Sequence, residues 1–204
     1  MRKLPARIVL VGVLALVIGM FAAPAVAQDD TLVITTLSDI NSLDPAIGYD
    51  TLSWPAIALF YRGLVQLADP VTPEPALAES WTISDDGLVY TFVLREGIMF
   101  SNGRAITPED VKYTFERLHD PATASPTAYF FDMIEGVAEY VAGDAEEISG
   151  IAILDERTVE FTLTRPEWTL MQRFSLAPGM IVAREGVEAA ENFGREPLGA
   201  GPYV

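Results

Sequence analysis

Side chains able to do acid–base or covalent chemistry are scarce in this chain and poorly grouped. Its 204 residues include one histidine, His119, and no cysteine. That excludes a cysteine nucleophile, a thiolate zinc site, disulfides, a lipid anchor on an N-terminal cysteine and any histidine-rich metal site. His119 closes an amphipathic stretch, where an interaction with a helix dipole is its simplest role. Standing alone there, it makes no credible Ser-His-Asp set. Paired carboxylates are the chemistry that remains. Asp85-Asp86 and Glu146-Glu147 could serve a secreted hydrolase acting on peptides or glycosides. Both pairs fall in turns, where solvated surface is the simpler role. The acids Asp144, Glu146 and Glu147 lack the ligand spacing and central glycine of a calcium loop. The glycines of Pro197-Leu198-Gly199-Ala200-Gly201-Pro202-Tyr203 fit neither nucleotide fingerprint, and no lysine follows them. The expectation is no catalytic residue, no metal and no cofactor.

Composition bounds the class. Half of the residues are hydrophobic, enough for one domain or a large part of one. The formal net charge of −16 repels nucleic acid and anionic membrane surfaces and favours solubility. Residues 1–27 read as a secretory leader. Arg2, Lys3 and Arg7 precede the apolar run 8–21, and Ala25-Val26-Ala27 supplies the small residues a signal peptidase reads. The run is shorter than the ~20 residues of a membrane span. The protein is thus expected to be exported, periplasmic or otherwise extracytoplasmic, and not membrane-inserted after cleavage.

The elements that would position any site follow in order. Residues 31–37 are apolar on both faces, as in a buried strand. Residues 38–50 form an irregular loop. Residues 51–67 show helical spacing at Ile57, Phe60, Tyr61 and Leu64, with Gly63 as the stop. Pro70, Pro73 and Pro75 make 68–75 a connector. Two strands, 81–83 and 89–94, flank the turn Asp85-Asp86-Gly87, and Asn102-Gly103 marks another turn. Thr107 caps a helix that has Pro108 at its first position and buries Val111, Phe115 and Leu118. A loop with Pro121 and Pro126 leads to Tyr129-Phe130-Phe131. Three adjacent aromatics on a helix cannot all point one way. A helix over 134–141, a hairpin over 148–154 and 158–163, a short helix over 168–176, a strand candidate over 180–183 and a helix over 184–193 with Gly194 after it complete the chain.

A family resemblance rests on the stretch 77–111. Leu77-Ala78-Glu79-Ser80-Trp81, Asp86-Gly87, Tyr90-Thr91-Phe92, Leu94-Arg95, Gly97, Phe100, Asn102-Gly103 and Glu109-Asp110-Val111 resemble the signature of the peptide/nickel-type (family 5) solute-binding proteins of ABC importers. Ser42-Leu43-Asp44-Pro45, Tyr61-Arg62-Gly63-Leu64 and the run 197–203 resemble further elements of that family. Ala200 stands where the family usually has Thr. The run from Asp120 to Pro126 resembles the subset that handles peptides.

The resemblance implies an α/β fold, periplasmic-binding-protein-like (class II, cluster C type). It implies a first lobe built on a mixed sheet, about 28–61 and 178–204, with an inserted α+β subdomain, about 62–177. The second lobe would be absent from this chain, which reads as a fragment or truncated frame. The implied function is capture of oligopeptides, dipeptides or a related solute. Delivery would be to an ABC permease with its ATPase subunits, by a binding protein that is a monomer. A solute-binding sensor or chaperone uncoupled from transport is the alternative alongside the hydrolase. The resemblance also points to ligand contacts at Tyr49 with Asp50, four and five residues after Pro45, and at Tyr129 with Phe130 after the proline loop. A tyrosine offers an apolar face and a hydroxyl that donates or accepts.

Overall fold

The structure, a computed structural model, describes Thr35 and residues 38–203. The expected leader and, apart from Thr35, the expected strand over 31–37 lie outside the described residues. The helices are α1 (Ser53–Phe60), α2 (Pro108–His119), α3 (Val137–Ala142), α4 (Leu170–Arg173) and α5 (Arg184–Ala189). The strands are β1 (Val65–Asp69), β2 (Thr72–Pro75), β3 (Ala78–Ile83), β4 (Val89–Leu94), β5 (Ile151–Ile153) and β6 (Thr158–Thr162). Short 3-10 turns occupy Ala128–Phe131 and Ala177–Gly179.

A four-stranded sheet in the order β3-β4-β6-β5 carries the main core. Strict alternation makes it one-sided: Tyr90, Phe92 and Leu94 of β4 and Val159 and Phe161 of β6 are buried, and their neighbours are not. Helix α2 contributes Val111, Phe115 and Leu118 to the same core. Phe174 joins them, with ring centroids 5.0 Å from Phe161, 5.1 Å from Phe92 and 5.7 Å from Phe115. These tilted and edge-on pairings suit the aromatic quadrupole. The start of α2 follows its sequence signals. Thr107 is extended at the N-cap, and the Asp110 carboxylate accepts its backbone N–H at 2.9 Å.

A second cluster of buried residues holds Ile57, Tyr61, Ala177, Met180, Val182 and Phe193. It joins α1 to the run 177–193. The segment 199–203 lies along the end of α1, where Gly201 donates its N–H to the Phe60 carbonyl at 2.7 Å. A Cβ on Gly199 would fall 2.2 Å from the Phe60 carbonyl oxygen, and one on Gly201 would fall 2.3 Å from that of Leu59. These glycines therefore permit close backbone approach.

Several elements depart from the sequence expectations. Helix α1 stops at Phe60, and Tyr61 is extended (φ −123°, ψ 164°). The carbonyls of Gly63 and Leu64 accept N–H groups from residues 76–78, and Ile181 donates to the Arg62 carbonyl, so distant backbone claims what a helix would have used. Residues 68–75 do not form a simple connector: β1 and β2 make an antiparallel hairpin, turned at Asp69, whose carboxylate accepts the N–H groups of Val71 and Thr72. Pro73 and Pro75 are two apart, so both lack a donor on the same side of β2. A two-stranded ribbon can leave that side unpaired.

Residues 180–183 are buried but form only one bridge, Met180 to Gly63. Helix α5 ends at Ala189 with Ala190 as its cap, and Gly194 instead accepts the Leu43 N–H at 2.8 Å. Helix α4 is confined to Leu170–Arg173. No mixed sheet is present among the described residues, where every strand pairing is antiparallel.

Candidate functional site

Two loops converge on one exposed aromatic surface. The first, 44–50, is tied down from behind. Asp44 is 5% exposed, and both its carboxylate oxygens accept hydrogen bonds from the Arg117 guanidinium of α2, at 2.9 and 2.5 Å. One of those oxygens also accepts the Ala46 N–H. The second loop, 120–127, is latched to the first because Ser125 donates its hydroxyl to the Ala46 carbonyl. Beyond this latch the chain enters the 3-10 turn that carries Tyr129 and Phe130.

The consequence is a meeting of residues 80 positions apart. The hydroxyls of Tyr49 and Tyr129 lie 3.2 Å from each other, and the residues are 53% and 54% exposed. The hydrogen bond shared with Tyr49 holds the Tyr129 phenol above its ordinary pKa, so it stays protonated at neutral pH. Each hydroxyl keeps capacity for a further partner.

Behind the two phenols sits Trp54, from the first turn of α1. Its ring is 6.0 Å from Tyr49 on one side and 6.0 Å from Phe130 on the other. Tyr129 and Phe130 are 4.6 Å apart, which closes a ring of four aromatics. The indole N–H of Trp54 donates to the Gly48 carbonyl at 2.7 Å and fixes the ring on the loop.

Asp50 has a different place. One carboxylate oxygen accepts the backbone N–H groups of Leu52 and Ser53, and the other accepts the Ser53 hydroxyl at 2.6 Å. These bonds, led by the Ser53 hydroxyl, lower its pKa to about 2. Its carboxylate thus caps the start of α1. Phe130 is half-buried and packs its ring between Trp54 and Tyr129. The exposed face of the pair therefore belongs to Tyr129.

Two hollows flank the tyrosine contact. One of 450 Å³ is lined by Tyr49, Asp50, Thr51, Trp54 and Pro55. The other, of 520 Å³, lies on the Tyr129 side, against Phe130, Asp132, Arg165 and Arg173. Such a wall can stack flat or apolar groups and offer hydroxyls to polar ones. The paired acids sit elsewhere in local bonding: Asp86 accepts from Ser84 and the Leu88 N–H, and Glu147 pairs with Lys112. Among the described residues no group of three or more His, Cys, Asp or Glu side chains is placed to hold a metal. None of their helices is long and apolar enough to cross a membrane.

Comparison with known proteins gives this surface its context. Residues 72–204 match the family described as bacterial extracellular solute-binding proteins, family 5, middle. The chain belongs to that family. The dipeptide-binding protein DppE of Bacillus subtilis is 33% identical over 140 residues, covering 68% of this chain and 26% of that protein. The glutathione-binding protein GsiB of Shigella dysenteriae is 31% identical over 191 residues, covering 93% and 34%. Among solved structures, the substrate-binding domain of an oligopeptide ABC transporter from Bacillus anthracis aligns with a TM-score of 0.78 at 29% identity, covering 84% of this chain and 34% of that one. OppA of Listeria monocytogenes bound to peptide aligns with a TM-score of 0.73 at 32% identity, covering 79% and 33%.

This family 5 chain therefore has part of a periplasmic-binding-protein-like α/β fold. It spans between about a quarter and a third of the length of the relatives it matches. Arg117 and Trp54 are the site residues that sequence reasoning missed. Arg117 falls on the same helix as the expected core residues but between them, and Trp54 precedes Pro55 in a first turn that periodicity does not mark.

Proposed function

We propose that this chain is the N-terminal part of the extracytoplasmic substrate-binding component of an ABC importer, and that its aromatic wall contacts a peptide or a related small solute. The observation that carries this reading is the Tyr49–Tyr129 hydroxyl contact over the Trp54–Phe130 pair, exposed on two loops that are themselves anchored. The names of relatives that bind dipeptides, glutathione and oligopeptides support the solute class. In this reading Tyr49 and Tyr129 touch solute, Asp50 holds α1 in place and Phe130 backs the wall.

In this reading about 28–61 and 178–204 would belong to a first lobe and about 62–177 to an inserted subdomain; Ile57, Tyr61, Met180, Val182 and Phe193 share one buried cluster. Partners would be the solute, a permease and its ATPase subunits, with no nucleic acid. The binding protein would be an exported monomer that acts without breaking a bond. Closure would follow from tighter solute binding by the closed form.

The test is calorimetry on the full-length protein with di- to pentapeptides and glutathione. Binding that falls about tenfold or more in Tyr49→Ala and in Tyr129→Ala, with thermal stability kept, supports the reading. Wild-type affinity in both variants would remove the wall from the site. Turnover of a peptide by the purified protein would replace the reading with the hydrolase.

A further inference from the structure

The hollow beside Tyr129 brings two guanidinium groups up to the aromatic wall. The chain has 13 basic and 29 acidic residues, and Arg165 and Arg173 line this hollow together with Asp132. Arg173 is fixed there. It donates to the Thr169 hydroxyl at 3.0 Å, to the Phe130 carbonyl at 2.8 Å and to Glu167 at 2.9 Å. Arg165 is freer. Its side chain is 56% exposed, and its ion pair is with Asp132 at 2.9 Å, itself 51% exposed.

An exposed pair of this kind contributes little to stability and exchanges readily for another carboxylate. A guanidinium fork binds a carboxylate through two parallel N–H bonds, and this geometry is its best match. The hollow on the Tyr49 side, walled by Trp54 and Pro55, is without a basic residue. The wall therefore carries two guanidinium groups at one end, paired with Asp132 and Glu167, and none at the other.

We propose that the hollow lined by Arg165 and Arg173 receives a carboxylate of the bound solute, which takes the place of Asp132 on Arg165 and sets the direction in which an extended solute lies across Tyr129 and Tyr49. This rests on the solute-binding reading above. The formal charge of −16 opposes an anionic group at long range. That repulsion is screened beyond about 8 Å at physiological salt, whereas the two guanidinium groups act at contact. The carboxylate can come from a peptide C-terminus or from an acidic side chain.

Both sources are tested on the full-length protein by calorimetry with three probes: tetra-alanine, tetra-alanine amide, and the amide with one alanine replaced by glutamate. The readout is the affinity ratio of each acid to the plain amide. The expected result is a ratio that falls about tenfold in Arg165→Gln and rises severalfold in Asp132→Asn, because removing the competitor frees the fork. A purely structural role for the pair would lower binding of all probes in both variants, and that result overturns the proposal. Equal ratios in wild type and both variants overturn it as well. A response of tetra-alanine alone assigns the terminal carboxylate, and a response of the glutamate probe alone assigns the side chain. If all three probes bind the wild-type protein with ratios near one, the solute site stands and this subsite falls. If none binds, both fall.

Discussion

His119 is 5% exposed, and its Nδ1 lies 2.7 Å from the Phe115 carbonyl, which can only accept. In the neutral ring the proton therefore sits on Nδ1. Burial pushes its pKa below the ordinary value, against the pull of the Phe115 and Ala128 carbonyls and of Asp132. The expected interaction of a charged ring with the helix dipole gives way to a hydrogen bond inside the last turn of α2. With one histidine and no cysteine, His119 is the side chain expected to titrate between pH 7.5 and 5.5. The folded pKa is depressed, so its contribution is intact above the unfolded value near 6.5 and is lost as pH falls below it. Stability should decline with a slope of at most about 1.4 kcal/mol per pH unit. Denaturant midpoints measured across that range should flatten in His119→Gln. A slope that persists in the variant would assign the effect to the acidic groups instead.

At the scale of elements, the decisive link is the one between the loop 44–50 and α2. The Asp44–Arg117 pair is nearly buried, with side chains 7% and 13% exposed. Removing one partner leaves an uncompensated charge, so Arg117→Met should cost about 3–5 kcal/mol by urea denaturation, and Asp44→Leu with Arg117→Met should cost less than the single change. A single variant within about 0.5 kcal/mol of wild type would show that the loop is held by other means. The helix carrying Arg117 was legible from sequence because its signals are local: Thr107, Pro108 and the spacing of Val111, Phe115 and Leu118. Both hairpins around the main core were legible for the same reason, through alternation at Tyr90, Phe92, Val159 and Phe161. The region 61–75 was not. Its backbone partners lie at 76–78 and 181, and apolar spacing through Leu64 imitates a helix while the prolines imitate a connector. Tyr49 and Tyr129 were marked by resemblance, but their contact depends on the Ser125 latch, which no local pattern encodes.

For the molecule as a whole, the candidate site is one wall. Small-molecule sites bury about 70–90% of the ligand's surface, and an open wall covers one side of it. This chain spans about a third of the length of its relatives at most. Calorimetry of the chain alone with dipeptides and pentapeptides should therefore give a Kd weaker than about 1 mM. The full-length protein should bind at least about a hundredfold more tightly. Micromolar binding by the chain alone would mean that the hollows beside Tyr49 and Tyr129 suffice without an opposing surface.

Trp54 lies between Tyr49 and Phe130, with its indole N–H held by Gly48, so this wall contains its own fluorophore. Trp81 packs against the sheet core, and Trp168 is 92% exposed and contributes a constant water-like emission. With Trp168 replaced by Phe, a solute that covers the tyrosines would dry the surroundings of Trp54 and shift its emission to shorter wavelength. Occupancy could then be followed optically, in real time and without a label.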